Sequence, residues 1–303
     1  MNFDTPQSAA LLAAKVCKPV AAIIIGLPFV ERDIELIDYL NALTDLPGDD
    51  DFPSAQVIAD VLQIELRWAA FTREKVLRFL HKRRINGNFS ADIANFTARF
   101  DVAAFIPACH ELPQGTTVFI GDSLMATNHF AANASFPILV GSLLESLGRG
   151  AFINLSVGGQ TTKLGHQRFQ NEVLPHNPVR VVICYGTNDL TGGRPNDITI
   201  ANFDNMITQV KQHNPQTTII LGMLLPIVTH RLWWAKTPMK GVQLEERRPL
   251  HNAMLELAHR RRISCFDLFD RMTDAHYSID GIHINQAGQE EVGVETLRLL
   301  TTS

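Results

Sequence analysis

From residue 117 onward, short apolar segments alternate with longer segments of helical periodicity, and this alternation constrains the fold more than any other feature of the sequence. The predicted strands are residues 117–121, 151–156, 179–186, 217–225 and 263–269. The predicted helices are residues 136–147, 198–213, 245–262 and 286–300. Strands that alternate with helices predict an α/β fold with a parallel sheet and helices on both faces.

The first 112 residues have a different character. Helical periodicity predicts helices at residues 31–44, from Ser54 to Arg84, and at 91–100. The formal net charge of the chain is −4, and this whole acidic excess lies before residue 113. We therefore predict a mostly helical N-terminal region, residues 1–112, followed by a second domain, residues 113–303.

Composition excludes several classes of protein. Hydrophobic residues make up 46% of the chain and charged residues 19%, which is ordinary for a globular protein with a sizeable core. With 27 basic and 31 acidic residues, bulk charge indicates no nucleic-acid partner. The sequence has no apolar segment long enough for a transmembrane helix, so none is expected.

Cysteine usage bears on the cellular compartment. Cys17, Cys109, Cys184 and Cys265 form no Cys-x-x-Cys pair, and Cys184 and Cys265 lie in apolar segments typical of buried free thiols. This favours a reducing, cytoplasmic location. Secretion stays open as an alternative, because the apolar run at residues 19–30 follows two lysines and superficially resembles a signal peptide.

Polar motifs follow several of the predicted strands. Gly121-Asp122-Ser123-Leu124 ends the first strand, Gly158-Gly159 follows the second, and Gly186-Thr187-Asn188-Asp189 ends the third. In open α/β sheets, catalytic groups collect at the carboxyl ends of strands. Glycine permits close backbone approach, and an asparagine amide can donate to a developing oxyanion. Each motif alone is also compatible with an ordinary turn.

A fourth motif, Asp280-Gly281-Ile282-His283, lies near the C-terminus. A serine nucleophile needs a base, and the base needs a carboxylate that fixes its tautomer. His230 and His276 have no carboxylate three residues before them, so His283 is the stronger candidate base. No histidine pair has the spacing of a metal site, and we predict neither a metal nor a cofactor.

Taken together, residues 116–300 resemble the SGNH, or GDSL, hydrolase family, whose four blocks supply Ser, Gly, Asn and His. The resemblance rests on Ser123, Gly159, Asn188 and the Asp280–His283 pair, and Ser135-Phe136-Pro137 adds to it. It implies a flavodoxin-like, three-layer α/β/α fold. The classical α/β-hydrolases are excluded, because they require Gly-x-Ser-x-Gly and Met125 stands where the last glycine would be.

The resemblance implies a role for each motif residue. Ser123 would be the nucleophile, His283 the general base and Asp280 its orienting carboxylate. The oxyanion hole would consist of the backbone N–H groups of Ser123 and Gly159 and the side-chain amide of Asn188. The implied reaction is hydrolysis of a carboxylic ester through an acyl-serine intermediate.

The substrate is less well defined by the sequence. A short acyl or acetyl ester of a small molecule, carbohydrate or lipid is the first candidate, and Arg194, Trp233 and Trp234 are the candidate substrate-binding residues. A thioesterase, a lysophospholipase or an acyltransferase would use the same site. From another class, residues 1–112 could bind a protein partner and make this a targeting protein.

Overall fold

A computed structural model describes residues 53–62, 65–85, 88–126, 131–222, 224–234 and 239–302. The apolar run at 19–30 and the helix predicted at 31–44 lie outside these residues. Within them, no helix combines the length and the hydrophobicity that crossing a bilayer requires. The chain divides into two compact units, Met1–Asn88 and Phe89–Ser303.

Five parallel strands form the sheet of the second unit. They are β1 (Thr117–Gly121), β2 (Phe152–Asn154), β3 (Arg180–Cys184), β4 (Thr218–Leu221) and β5 (Ser264–Cys265). Their order across the sheet is β2-β1-β3-β4-β5. Each strand lies inside a segment that the sequence predicts to be a strand, and the predicted parallel sheet is confirmed.

Helices cover both faces of this sheet. Their bounds are α3 (Ser90–Thr97), α4 (Phe100–Ala103), α5 (Ile106–His110), α6 (Phe136–Ser146), α7 (Thr162–Glu172), α8 (Thr187–Thr191), α9 (Asn196–His213), α10 (Leu244–Arg261) and α11 (Gln286–Thr301). Short 3-10 helices occupy Leu174–His176, Thr229–Trp234 and Asp274–His276. Helices α5, α7 and α8, and α4 beyond Phe100, are additions to the sequence prediction.

The core consists of two apolar clusters, one on each face of the sheet. Successive residues of a strand point to opposite faces. Accordingly, Val181 and Ile183 of β3 join the cluster that contains α7, α9 and α10, whereas Val182 joins the cluster that contains α6 and α11. Strands buried on both faces explain the near-continuous apolar runs in the sequence. The three-layer α/β/α fold that the sequence predicts is thus confirmed.

Helices α3, α4 and α5 belong to the second unit, so this unit begins earlier than the boundary at residue 112 that the sequence predicts. The reason is packing: Phe96, Val102 and Cys109 are buried in the same cluster as α6 and α11. Arg99 adds an ion pair, with its guanidinium 3.1 Å from the Glu290 carboxylate. The helices also bury Cys109, whose thiol pKa is raised to about 11 by burial.

The first unit contains α1 (Ala55–Leu62) and α2 (Leu66–Ile85), where the sequence predicts one long helix. Ser54 lies before α1, and its hydroxyl accepts a hydrogen bond from the Val57 amide at 3.3 Å, which caps the start of this helix. The Arg73 guanidinium donates to the Pro53 carbonyl at 2.7 Å and connects α2 to the start of α1. A binding role for this region stays a prediction.

Candidate active site

The turn at residues 121–126, which carries Ser123, follows β1 at the carboxyl edge of the sheet. Asp122 N–H donates to the Cys184 carbonyl of β3, and the Asp122 carbonyl accepts from the amides of Met125 and Ala126, each at 3.2 Å. Gly121 makes this close approach possible, because a Cβ there would lie 2.5 Å from the Cys184 carbonyl oxygen. The chain therefore turns sharply and leaves Ser123 at the end of β1.

Ser123, His283 and Asp280 form a continuous chain of hydrogen bonds. Ser123 Oγ lies 2.8 Å from His283 Nε2, and His283 Nδ1 lies 2.6 Å from Asp280 Oδ2. With Asp280 as acceptor, His283 carries its proton on Nδ1 and leaves Nε2 free to accept from the serine hydroxyl. The structure thus brings together the three residues that the sequence assigns to proton transfer.

The Asp280 carboxylate is fixed by its own loop. Its Oδ1 accepts hydrogen bonds from the amides of Ile282 and His283, both at 3.0 Å. Burial raises the pKa of this carboxyl, but the His283 charge and the hydrogen bonds from His283 and Ile282 outweigh burial and hold the pKa below its usual value. Asp280 is therefore ionised at neutral pH.

The segment that follows β4 also holds the loop that carries Asp280 and His283. The Val228 amide donates to the Gly281 carbonyl at 2.8 Å, and the Arg231 guanidinium donates to the Tyr277 and Ser278 carbonyls at 3.2 and 3.1 Å. A cavity of 280 Å³ lies between this segment, the start of α10 and residues 272–277. The loop that carries Asp280 and His283 is therefore connected to the chain that follows β4.

The three predicted oxyanion donors all lie after strands of the same sheet edge. Among the described residues, neither the Ser123 nor the Gly159 backbone N–H donates to a protein acceptor. Gly159 has a φ of +76°, a conformation that favours glycine, and a Cβ there would meet open space. The Asn188 side-chain amide donates to the Gln160 carbonyl at 3.0 Å, which turns its NH₂ group toward the Gly159 turn.

Asp122 is a residue of the first motif to which sequence reasoning assigned no role. Its side chain is buried, its Oδ1 accepts from the Leu124 amide at 3.0 Å, and its Oδ2 lies 3.4 Å from Asn188 Nδ2. Burial raises the pKa of this carboxyl to about 6, against the lowering effect of the Leu124 amide. The one sequence signal that points to Asp122 is its position next to Ser123 in the Gly-Asp-Ser motif.

Asp189 connects the second and third motifs. Its buried carboxylate accepts hydrogen bonds from the Thr162 amide at 2.9 Å and the Thr162 hydroxyl at 2.6 Å. Thr162 is the first residue of α7, where a carboxylate also interacts favourably with the helix dipole. Asp189 thereby fixes the start of α7 against the turn that carries Asn188.

Two further polar side chains hold the turn that carries Ser123. Asn154, the last residue of β2, donates to the Met125 carbonyl at 2.9 Å. Gln289 of α11 donates to the Leu124 carbonyl at 3.0 Å and accepts from the Phe136 amide at 2.8 Å. Neither Asn154 nor Gln289 has a role in the sequence prediction, and nothing in the sequence singles out Gln289.

Of the three predicted substrate-binding residues, the structure describes the side chain of Arg194 alone. Arg194 Nε lies 2.9 Å from Asp189 Oδ1, so its guanidinium is held in an internal ion pair. Trp233 and Trp234 end the 3-10 helix Thr229–Trp234, and their side chains lie outside the description. Substrate binding by all three residues stays a prediction.

Comparison with known proteins supports one family. The profile of the GDSL-like lipase/acylhydrolase family matches residues 119–291, more than half of the chain. An arylesterase from Vibrio mimicus is 34% identical over 93 residues, which are 30% of this chain and 46% of that protein. The chain therefore matches about half the length of this curated relative.

Solved structures give the same result. A lipase/acylhydrolase from Enterococcus faecalis is 25% identical with a TM-score of 0.50, and the match covers 62% of this chain and 96% of that one. A variant of an acetyl-xylooligosaccharide esterase from Geobacillus shares the fold at 18% identity and a TM-score of 0.50, covering 62% and 94% of the two chains. This chain belongs to the GDSL-like lipase/acylhydrolase family.

Proposed function

We propose that this protein is a carboxylic ester hydrolase that cleaves short acyl or acetyl esters, including O-acetylated carbohydrate, through an acyl-serine intermediate. One observation carries the proposal: the unbroken chain from Ser123 Oγ through His283 to Asp280, with contacts of 2.8 and 2.6 Å. A hydroxyl, an imidazole and a buried carboxylate in this order are what nucleophilic acyl transfer requires.

In the proposed reaction, Ser123 Oγ attacks the ester carbonyl carbon while His283 Nε2 accepts the hydroxyl proton. The tetrahedral intermediate collapses, His283 gives the proton to the leaving alkoxide, and the acyl group stays on Ser123. Water then attacks the acyl-serine with His283 again as base, the bond between Ser123 Oγ and the acyl carbon breaks, and His283 returns the proton to Ser123 Oγ as the carboxylic acid leaves. Asp280 stabilises the imidazolium in both halves, and its low pKa keeps it anionic there.

The developing oxyanion needs donors that are already in place. The backbone N–H groups of Ser123 and Gly159 have no acceptor among the described residues, so they are available for this charge. Asn188 donates one amide hydrogen to the Gln160 carbonyl at 3.0 Å and directs the other to Asp122 Oδ2 over a longer contact of 3.4 Å, and the oxyanion would share the hydrogen of this longer contact. Each such donor typically contributes about 10²–10³ in kcat.

Ester chemistry is supported by the family and by the arylesterase match, which spans 46% of that relative. A substrate panel tests the finer assignment: p-nitrophenyl esters from acetyl to dodecanoyl, acetylated xylo-oligosaccharides, an acyl thioester and a lysophospholipid. We expect kcat/KM to be highest for acetyl or another short acyl ester. A maximum at the thioester, the lysophospholipid or the longest chain would contradict the proposed substrate class.

Transfer to an alcohol is separated from hydrolysis by its product. With methanol added to the acetyl ester, a hydrolase releases mainly acetate, whereas an acyltransferase forms mainly methyl acetate. We expect acetate to dominate when water is in excess. Predominant methyl acetate at low methanol concentration would contradict hydrolysis while leaving the acyl-serine step intact.

A further inference from the structure

Two buried charged side chains approach the turn that carries Asn188. One comes from the segment after β1, and the other comes from α10. On one side is Asp122, with a relative exposure of 2% and its Oδ2 3.4 Å from Asn188 Nδ2. On the other is Arg247 of α10, with a relative exposure of 1%. Arg247 reaches the turn through Thr187, the residue before Asn188, whose hydroxyl accepts from the guanidinium at 3.0 Å.

Arg247 is bound entirely by neutral oxygens. Besides Thr187, its guanidinium donates to the Leu225 carbonyl after β4 and to the Gly241 carbonyl before α10, each at 2.8 Å. Burial lowers its pKa to about 10, so the side chain stays protonated at neutral pH. One cation therefore joins the Asn188 turn to both ends of the segment between β4 and α10.

Such an arrangement is costly for stability alone. Removing a carboxylate or a guanidinium from water carries a penalty of several kcal/mol, and well-packed apolar residues often serve stability as well or better. The two charges also act on each other at a distance, since Arg247 lowers the pKa of Asp122. The two buried charges have opposite signs and both contact one short turn. A role in fixing the orientation of the Asn188 side-chain amide explains them better than a role in stability.

The chemistry of Asp122 gives that orientation a direction. An ionised carboxylate only accepts hydrogen bonds, so the side of Asn188 that faces it must present NH₂ and not the carbonyl oxygen. A neutral amide at position 122 could donate as well as accept, and it would tolerate both orientations of the Asn188 amide. A carboxylate next to the nucleophile therefore selects the orientation in which Asn188 is a donor.

We propose that Asp122 and Arg247 are positioning residues that hold the Asn188 amide, and through it the third oxyanion donor, in its reactive orientation. The inference rests on the proposed ester hydrolysis and deepens it. Neither residue needs to contact the substrate: Asp122 fixes the direction of the amide, and Arg247 fixes the backbone turn through Thr187.

A double-mutant cycle tests the part of Asp122. We expect Asp122→Asn to lower kcat on p-nitrophenyl acetate about tenfold or more, as the loss of one charge-assisted contact would, with KM nearly unchanged. In the Asn188→Ala background the same substitution should change kcat less than about threefold, because the group it positions is gone. An equal loss of kcat in both backgrounds would overturn the proposal.

Glu295→Gln is the matched control for loss of a buried carboxylate. Glu295 of α11 is 1% exposed and pairs with Arg298 of the same helix and with Arg271, so its substitution should lower the melting temperature without lowering kcat. If Asp122→Asn does not fold, hydrogen exchange of the Asn188 side-chain NH₂ in the wild-type protein replaces it. Slow exchange of both hydrogens is expected, and fast exchange of both would overturn the proposal.

Thr187→Val tests the part of Arg247, because it removes the acceptor and keeps the side-chain shape. We expect a lower kcat in the wild-type background and little change in the Asn188→Ala background. Thr117→Val is the control: Thr117 accepts from the buried Arg180 at 2.8 Å at the amino end of β1, far along the strand from Ser123. The kcat of Thr117→Val should equal that of the wild type. If Thr187→Val also kept the wild-type kcat, the proposed role of Arg247 would be overturned.

Failure of the inference is distinguishable from failure of the proposed function. If Ser123→Ala keeps its activity, the proposed reaction itself is contradicted. If Ser123→Ala is inactive and Asn188→Ala lowers kcat, but the two cycles are additive in free energy, only the positioning roles of Asp122 and Arg247 are overturned.

Discussion

Ser123 Oγ lies 2.8 Å from His283 Nε2, although 160 residues separate the two along the chain. Ser123 lies in the turn after the first strand of the sheet, and His283 reaches it from a loop after the last strand. That loop is fixed by Asp280 and by the segment after β4, so the proximity of serine and imidazole follows from the whole sheet.

Asp280→Asn should lower kcat by about 10²–10⁴ while the protein stays folded. An asparagine can still accept from the Ile282 and His283 amides through its oxygen, but its NH₂ group cannot accept the Nδ1 proton of His283. The imidazole then loses both its preferred tautomer and its counter-charge. Steady-state kinetics on p-nitrophenyl acetate measure the loss.

His276→Gln is the control for this prediction. His276 accepts a hydrogen bond from the Thr273 amide at 3.0 Å within its own short turn. The kcat of His276→Gln should match that of the wild type. If Asp280→Asn retained wild-type kcat, or if His276→Gln lost as much, the assignment of Asp280 and His283 would be wrong.

Asn188→Ala should lower kcat about 10²–10³-fold and leave a measurable remnant. The backbone donors of Ser123 and Gly159 remain in that variant, so part of the oxyanion stabilisation survives. Because the interaction forms mainly in the transition state, KM should change little. A complete loss of activity, or a rise in KM with unchanged kcat, would argue against an oxyanion role.

The strands and the four motifs were predictable because their signals are local. A strand buried on both faces reads as an apolar run, as 179–186 does, and β3 lies within it. Helix α7 carries only a few buried residues in a polar sequence, Phe169 among them, so it lacks the apolar stripe that identifies helices. Helix α8 was missed because Thr and Asn after a glycine are also typical of loops.

The supporting residues of the site could not be predicted in the same way. Arg247 lies in a helix with other arginines, and only the tertiary fold buries it against Leu225, Gly241 and Thr187. Likewise, Gln289 is one polar residue on α11 until the fold places it beside Leu124. The proposed nucleophile, base and acid follow from motif chemistry, whereas the residues that hold them depend on contacts between distant segments.

The difference in free energy of unfolding between the wild type and Asp122→Asn should depend on pH in a defined direction. The folded-state pKa of about 6 lies above the unfolded value of about 3.9, so between these values the native state holds the proton more tightly. The contribution of Asp122 to the free energy of unfolding therefore falls as pH rises from about 4 to 6 and is constant above. Asparagine does not titrate.

Urea unfolding at several pH values checks this expectation. The difference in free energy of unfolding should move in favour of Asp122→Asn as pH rises from about 4 to 6, and level off at higher pH. The difference between the two proteins cancels the titration of the other carboxyl groups. A difference that is flat, or that moves in favour of the wild type with rising pH, would contradict the raised pKa.

Asp189→Ala should destabilise the protein by about 1–3 kcal/mol or more, the typical cost of leaving a buried hydrogen-bond donor without its acceptor. The substitution leaves Arg194 without its partner and removes the acceptor of the Thr162 amide and hydroxyl. Asp270→Ala is the comparison, because Asp270 pairs with Arg248 on the surface at 2.7 Å. Denaturant unfolding should show a far smaller effect for Asp270→Ala, and equal effects would contradict the structural role of Asp189.

Ser123→Ala tests the central claim most directly, with turnover of p-nitrophenyl acetate and covalent labelling by a fluorophosphonate measured on the same samples. Ser146→Ala is the control, since the Ser146 hydroxyl donates to the Leu143 carbonyl within α6. We expect wild type and Ser146→Ala to turn over the ester and to gain one phosphonyl group that maps to Ser123. Ser123→Ala should show neither. Turnover by Ser123→Ala near the wild-type rate, or a label on another residue of the active wild-type protein, would contradict the account.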